Sequence, residues 1–162
     1  MIFATVGTQL PFDRLIQTID EWAKSRPHHD VFAQIGHSSY VPEHVQWAES
    51  LRASQFQQRL ETATAIVSHA GIGTILSALE LGKPIIVLPR RAALREHRND
   101  HQLATAERFD AMGLVSVAWD ESQLLAKLDD VEALGSRARL STSASPELLE
   151  NLRQFIAGHP CP

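Results

Sequence analysis

The sequence predicts one α/β domain, a single Rossmann-like parallel sheet flanked by helices. Three observations carry this reading. The 162 residues suit one domain with one core. Short apolar runs alternate with longer amphipathic segments, the pattern of successive βαβ units. Glycine turns directly follow two of the apolar runs, at Gly7 and Gly71.

Strands are expected near 2–6, 31–35, 65–68, 85–88 and 114–118, with a further short candidate near 45–48. Helices are expected near 12–24, 55–63, 73–82, 99–112, 121–129 and 146–157. In the first helix Leu15, Ile16, Ile19, Trp22 and Ala23 follow helical spacing. Ile75, Leu76, Leu79 and Leu81 do the same in the third, which Gly82-Lys83-Pro84 should stop. Ile85-Ile86-Val87-Leu88 is apolar on both faces, as a central parallel strand requires. The stretch 134–146, rich in Ser, Ala and Gly, reads as a surface loop before the last helix. One domain over 1–162 leaves no room for a second.

Apolar residues make up 44% and charged residues 21%, which is a soluble globular balance. The net charge of -4 argues against non-specific nucleic-acid binding, which needs a basic face. The lone cysteine, Cys161, cannot form an internal disulfide, so a reducing compartment is expected. The opening apolar run is too short for a signal sequence or a membrane span. The expectation is a cytoplasmic protein that meets a membrane only through a partner.

Three segments carry chemistry. Thr5-Val6-Gly7-Thr8-Gln9 follows the first strand, where open parallel sheets bind ligands. Gly7 allows close backbone approach, Thr8 offers a hydroxyl, and Asp13 could cap the helix beyond. Ser68-His69-Ala70-Gly71-Ile72-Gly73-Thr74 opens a helix whose free N–H groups and dipole suit an anion. It is neither a dinucleotide fingerprint, since residue 76 is Leu, nor a P-loop. The third segment runs Pro89-Arg90-Arg91, then Arg95-Glu96-His97-Arg98-Asn99-Asp100-His101-Gln102. Its arginines suit phosphate, and its carboxylates and amides suit sugar hydroxyls. His97 and His101, four apart, invite a zinc reading, but a third ligand and His-Glu-x-x-His are missing, so no metal site is assigned. Each segment has a plainer reading: a tight turn, a buried histidine, a solvated helix start. Together they fall at one sheet edge and suggest a small phosphorylated ligand.

These residues, with Phe12-Asp13, the helix end Gly82-Lys83-Pro84 and the strand Ile85–Leu88 with Pro89, resemble the C-terminal domain of glycosyltransferase family 28 over about residues 1–115. The likeness extends to its stand-alone members: the small cytosolic subunit of the two-part N-acetylglucosaminyltransferase of N-glycan assembly, and bacterial PssE-type exopolysaccharide subunits. The resemblance implies the C-terminal half of a GT-B enzyme that holds a UDP-sugar as substrate, with no cofactor. It implies inversion at the sugar, no Asp-x-Asp metal motif, and a lipid-linked acceptor. It places the diphosphate over Gly71, Ile72, Gly73 and Thr74, with His69 near the phosphates, and donor-sugar contacts in the Asp100-His101-Gln102 region. From the residues themselves Gly7, Thr8, Gln9, Ser68, Arg90 and Asn99 are added to the donor site. Relatives often carry a ribose-binding Glu where this chain has Ser77; Glu80 lies one turn on and is the other candidate.

No catalytic base announces itself. His69, Glu96 and His101 are the candidates, and a missing half could supply it instead. The expected partner is a membrane-anchored, acceptor-binding glycosyltransferase subunit, with homo-oligomerisation of the isolated chain left open. The last helix, with Leu148, Leu149, Leu152 and Phe155, either docks that partner or packs on its own sheet. The resemblance implies uracil as the nucleotide base; the segment 47–56, with Trp47 and Phe56, either flanks it or those rings are core. The competing readings are a nucleotide-sugar sensor without turnover, or a small phosphotransferase or epimerase.

Overall fold

The computed structural model describes residues 1–27 and 29–131. The loop expected at 134–146 and the helix expected at 146–157 lie outside them. Six strands form one sheet: β1 (Ile2–Thr5), β2 (Val31–Gln34), β3 (Gln46–Ala48), β4 (Ala65–His69), β5 (Ile85–Leu88) and β6 (Ser116–Val117). All pairings are parallel, in the order β3-β2-β1-β4-β5-β6. Among the described residues five α-helices cover it: α1 (Asp13–Lys24), α2 (Ala53–Thr62), α3 (Ile72–Glu80), α4 (His101–Ala111) and α5 (Glu121–Asp129).

Side-chain alternation divides the core between the two faces. Ile2, Ala4, Val67, Ile86 and Leu88 pack with Leu15, Ile19 and Trp22 of α1 and Leu124 and Leu128 of α5. Phe3, Ile66, Ile85 and Val87 pack with Leu60 of α2, Ile75 and Leu79 of α3 and Ala106 of α4. The strand at 85–88 is buried throughout, as its two-sided apolar pattern requires. The apolar positions expected on α1 are all buried, but on α3 Leu76 is exposed. Gly82 ends α3 at φ +65, with its N–H on the Leu79 carbonyl and that of Lys83 on the Ala78 carbonyl, a Schellman closure.

Asp13 does not cap α1. Phe12 holds the cap position, and the Asp13 carboxylate instead accepts from the Ser38 hydroxyl and the Ser39 N–H. A 3₁₀ turn at Ala92–Leu94, not expected from the sequence, breaks the segment after β5.

The connection from β2 to β3 returns parallel to the sheet without a helix. It is pinned instead on Asp20, a carboxylate 1% exposed on the inner face of α1. Asp20 accepts from the Tyr40 hydroxyl at 2.7 Å, the Glu43 N–H at 3.1 Å and the His44 N–H at 2.7 Å. Burial alone would raise its pKa, but these donors outweigh burial and hold it below its ordinary 3.8. A carboxyl lowered in the folded state contributes stability above its unfolded pKa and loses it as pH falls through the folded one. Asp20→Asn is therefore expected to cost ~2 kcal/mol or more, since it strands buried donors. It should also flatten the loss of stability below about pH 4. Denaturant melts from pH 2 to 7 check both; parallel wild-type and variant curves would remove Asp20 as the pin.

Candidate functional site

Strand order reverses between β1 and β4, and ligands of open parallel sheets bind in the crevice beyond such a reversal. Register sets what meets there. Gln34, Thr5, Ser68 and Val87 lie in one row across four strands. The next residues along each chain, Gly7, His69 to Gly71 and Arg90, therefore emerge side by side. They open onto a cavity of about 810 Å³.

The β1 turn is built by its neighbours. The Thr5 hydroxyl donates to Gln34 Oε1 and accepts the Gly7 N–H, while Gln34 Nε2 donates to the Gly7 carbonyl at 3.0 Å and that of Glu49 at 3.3 Å. Gly7 holds φ +76, a left-handed conformation that suits glycine.

The His69 imidazole is wedged between the two turns. A Cβ built on Gly7 would lie 2.7 Å from His69 Cε1, and one on Gly71 only 2.2 Å from His69 Nε2. Burial, with the Arg90 cation second, pushes the His69 pKa down to about 4, so the ring is neutral at pH 7. Ser68 is fully buried and does not line the cavity; its hydroxyl binds the His69 carbonyl and lies 3.3 Å from Nδ1. It supports the ring rather than meeting a ligand.

Gly71 caps α3 with no side chain bonded there, so the first N–H groups of the helix have no partner within it. A Cβ on Gly73 would meet nothing within 4 Å. Gly73, Thr74 and Ser77 line the cavity, whereas Ile72 is exposed outside its walls. Of the ribose candidates, Ser77 is in the lining; Glu80 is exposed beyond it.

The segment after β5 divides. Arg90, His97, His101 and Gln102 line the cavity; Asn99 and Asp100 do not. The Asp100 carboxylate accepts the Ala92 N–H at 2.7 Å, and Asn99 Oδ1 bonds His101 Nδ1. His97 and His101 stack edge to face at 4.3 Å, and burial, with His101 next, lowers the His97 pKa. Among the described residues no three His, Cys, Asp or Glu side chains cluster as metal ligands would.

Glu96 does not fit the role of base. Its carboxylate takes Arg14 Nε at 2.6 Å and Nη2 at 2.8 Å, plus the Arg91 N–H at 2.9 Å, and it is absent from the cavity wall. Thr8 and Gln9 are exposed at the rim.

The far wall falls partly within the segment 47–56 offered for the base; Gln34 and Gln57 escaped sequence reasoning. Gln34, Ser50, Leu51, Ala53 and Gln57 line it, with Phe56, which also packs edge-on against Phe3 at 5.4 Å. The available signal was Gln34, a lone polar residue closing the apolar strand Val31–Ala33. Trp47 is 43% exposed on β3 and is neither core nor cavity wall.

The wedge predicts a contrast among glycines. Gly71→Ala should destabilise by ~1–3 kcal/mol through overpacking on the imidazole. Gly7→Ala should do the same, with backbone strain added. Gly73→Ala should leave stability unchanged or raise it by up to ~1 kcal/mol. Thermal melts measure all three; a wild-type melt for Gly71→Ala would show that no wedge exists.

Comparison with known proteins bears on the family and the fold. The family model described as "Glycosyltransferase family 28 C-terminal domain" matches residues 1–154. The human UDP-N-acetylglucosamine transferase subunit ALG13 is 30% identical over 123 residues, 69% of this chain and 10% of the relative. The chain thus spans about a tenth of the length of that curated relative. An NMR solution structure of ALG13 superimposes with a TM-score of 0.61 at 20% identity, covering 96% of each chain. The kitacinnamycin glycotransferase gives 0.57 at 23% identity, covering 98% of this chain and 40% of that one. The sheet, with its helices, is the fold of the C-terminal half of GT-B glycosyltransferases, and the chain belongs to the glycosyltransferase family 28 C-terminal domain family.

Proposed function

We propose that this chain is the donor-binding, catalytic subunit of an inverting, UDP-sugar-dependent glycosyltransferase that acts on a lipid-linked acceptor together with a membrane-anchored partner. One observation carries the reading. A single cavity at the sheet reversal combines a helix N-terminus, a buried arginine and three histidines with no lining carboxylate among the described residues. Such a wall suits an anion and repels none.

The diphosphate is assigned to the start of α3, where Gly73 leaves room and Thr74 adds a hydroxyl. The developing charge on the leaving UDP is then met by the helix dipole and Arg90. Ser77 is assigned to the ribose, and Ser50, Leu51, Phe56 and Gln57 to the base. His97, His101 and Gln102 are left for the donor sugar. The absence of lining carboxylates favours a metal-free mechanism, since magnesium and manganese prefer oxygen ligands.

Inversion needs a group that takes the acceptor's proton. Glu96 is engaged by Arg14, and His69 is wedged and held at about 4. His101 at the rim, or a group of the partner, remains. A partner also explains how a lipid-linked acceptor is met, because no helix among the described residues is long and apolar enough to cross a membrane. Closure by a second subunit would keep water from the donor and align the acceptor. The names of the curated relatives, each a transferase "subunit", support this arrangement. Association with the membrane at its cytoplasmic side is proposed to run through that partner.

Two outcomes follow. Calorimetry should show UDP binding that survives chelator, and Gly73→Val should weaken it tenfold or more by roughly the loss of one charge-assisted contact while circular dichroism stays native. Metal-dependent binding, or unchanged affinity in the variant, would overturn the assigned anion site. Co-expression with a membrane-anchored glycosyltransferase subunit should give transfer from labelled UDP-N-acetylglucosamine or another UDP-sugar to lipid extract. Binding without transfer under any pairing would make the chain a sensor; robust transfer by the chain alone would remove the need for a partner.

A further inference from the structure

Arg90 is only 2% exposed, yet no carboxylate pairs with it among the described residues. Glu96, whose charge reaches it, is bidentate with Arg14 instead. One guanidinium nitrogen, Nη2, donates to the Val6 carbonyl at 2.8 Å and the Leu10 carbonyl at 2.6 Å. Those carbonyls flank Gly7, Thr8 and Gln9. The Phe12 ring lies 4.9 Å from the guanidinium, and the Arg90 N–H is held by Gln102 Oε1. Nε is buried, has no hydrogen-bond partner, and belongs to a residue that lines the cavity.

We propose that Arg90 is a positioning residue: Nη2 fixes the loop after β1, while the guanidinium charge at the cavity wall is held for an anionic oxygen of the ligand. Naming that ligand a nucleoside diphosphate rests on the reading above; the anion itself does not. A buried cation without a counter-ion is costly, and an unused donor adds to the cost. The cost of the charge falls when an anion arrives. The loop carrying Thr8 and Gln9 is then in place before the ligand is, because the same guanidinium holds it. Burial draws the Arg90 pKa down to about 10, with the Glu96 charge pulling the other way. The charged and titratable groups acting on His69 are Arg90 and His97, so His69 reports on this charge.

The experiment titrates inorganic pyrophosphate and then UDP by calorimetry, and follows the His69 imidazole by NMR across pH. Arg90→Met removes bracket and charge. Arg90→Lys keeps the charge but lacks the planar fork and the Nε–H. Arg90→Met should weaken pyrophosphate by roughly tenfold or more and let His69 titrate at higher pH. Arg90→Lys should keep His69 low, shift the amide signals of Gly7, Thr8 and Gln9, and recover only part of the affinity. Wild-type affinity in Arg90→Met, or a His69 titration identical in all three proteins, would overturn the proposal. Should Arg90→Met fail to fold, the wild type decides: pyrophosphate must shift the Arg90 Nε–H resonance, and an unmoved resonance overturns it. Pyrophosphate binding with that shift but no UDP binding would refute the nucleotide reading and leave this one standing. Binding of neither would sink this one.

Discussion

The turns leaving β1 and β4 are separated by the thickness of one imidazole, and the site depends on that contact. Parallel pairing of β1 and β4 fixes the spacing of their ends, and the His69 ring fills what lies between. Neither Gly7 nor Gly71 has space for a methyl group on that side. The ring in turn stands on the Ser68 hydroxyl and faces the Arg90 cation. Side chains that a sequence pattern would treat as three separate motifs are thus one packed unit.

A second constraint lies at the other side of the sheet. A parallel crossover usually carries a helix, and β2 to β3 has none. Asp20 substitutes for it by gathering backbone and side-chain donors from residues 40–44. The chain returns in register, Gln34 beside Ala48, and so the loop at Ser50 and Leu51 arrives at the cavity. The uncharged end of the site therefore depends on a buried charge remote from it. Gln34 links the two regions, since its amide reaches both the Gly7 and the Glu49 carbonyls.

Period and turn chemistry made most of the fold legible. Ile85–Leu88 read as a buried strand because four consecutive apolar residues before a turn have few other uses. Gly82-Lys83-Pro84 read as a helix end because its closure is local. The glycine turn that opens α3 was visible for the same reason. What stayed hidden depends on partners far along the chain. Nothing near Asp13 shows that Ser38 will claim it, and nothing near Glu96 shows that Arg14, 82 residues away, will. Leu76 kept the helical period yet faces solvent, because α3 buries a narrower stripe than its composition suggests. Asp20 did leave a trace: it lies four residues after Ile16, inside the apolar stripe of α1, where an unpaired carboxylate would be costly.

The balance between two arginines and one carboxylate decides what kind of site this is. Had Glu96 paired with Arg90, the cavity would hold a satisfied ion pair and offer a ligand little. Instead Arg14, at the start of α1, takes Glu96 in a two-bond geometry and adds a bond to the Pro89 carbonyl. That pairing anchors the segment after β5 and neutralises its acid in one step, with both side chains mostly withdrawn from solvent. Arg90 is left facing backbone carbonyls, which bind a guanidinium without cancelling its charge. The surplus positive charge at the sheet reversal is therefore a product of chain geometry in a protein whose net charge is -4. Composition alone would have pointed the other way, because it sums charges that the fold keeps apart.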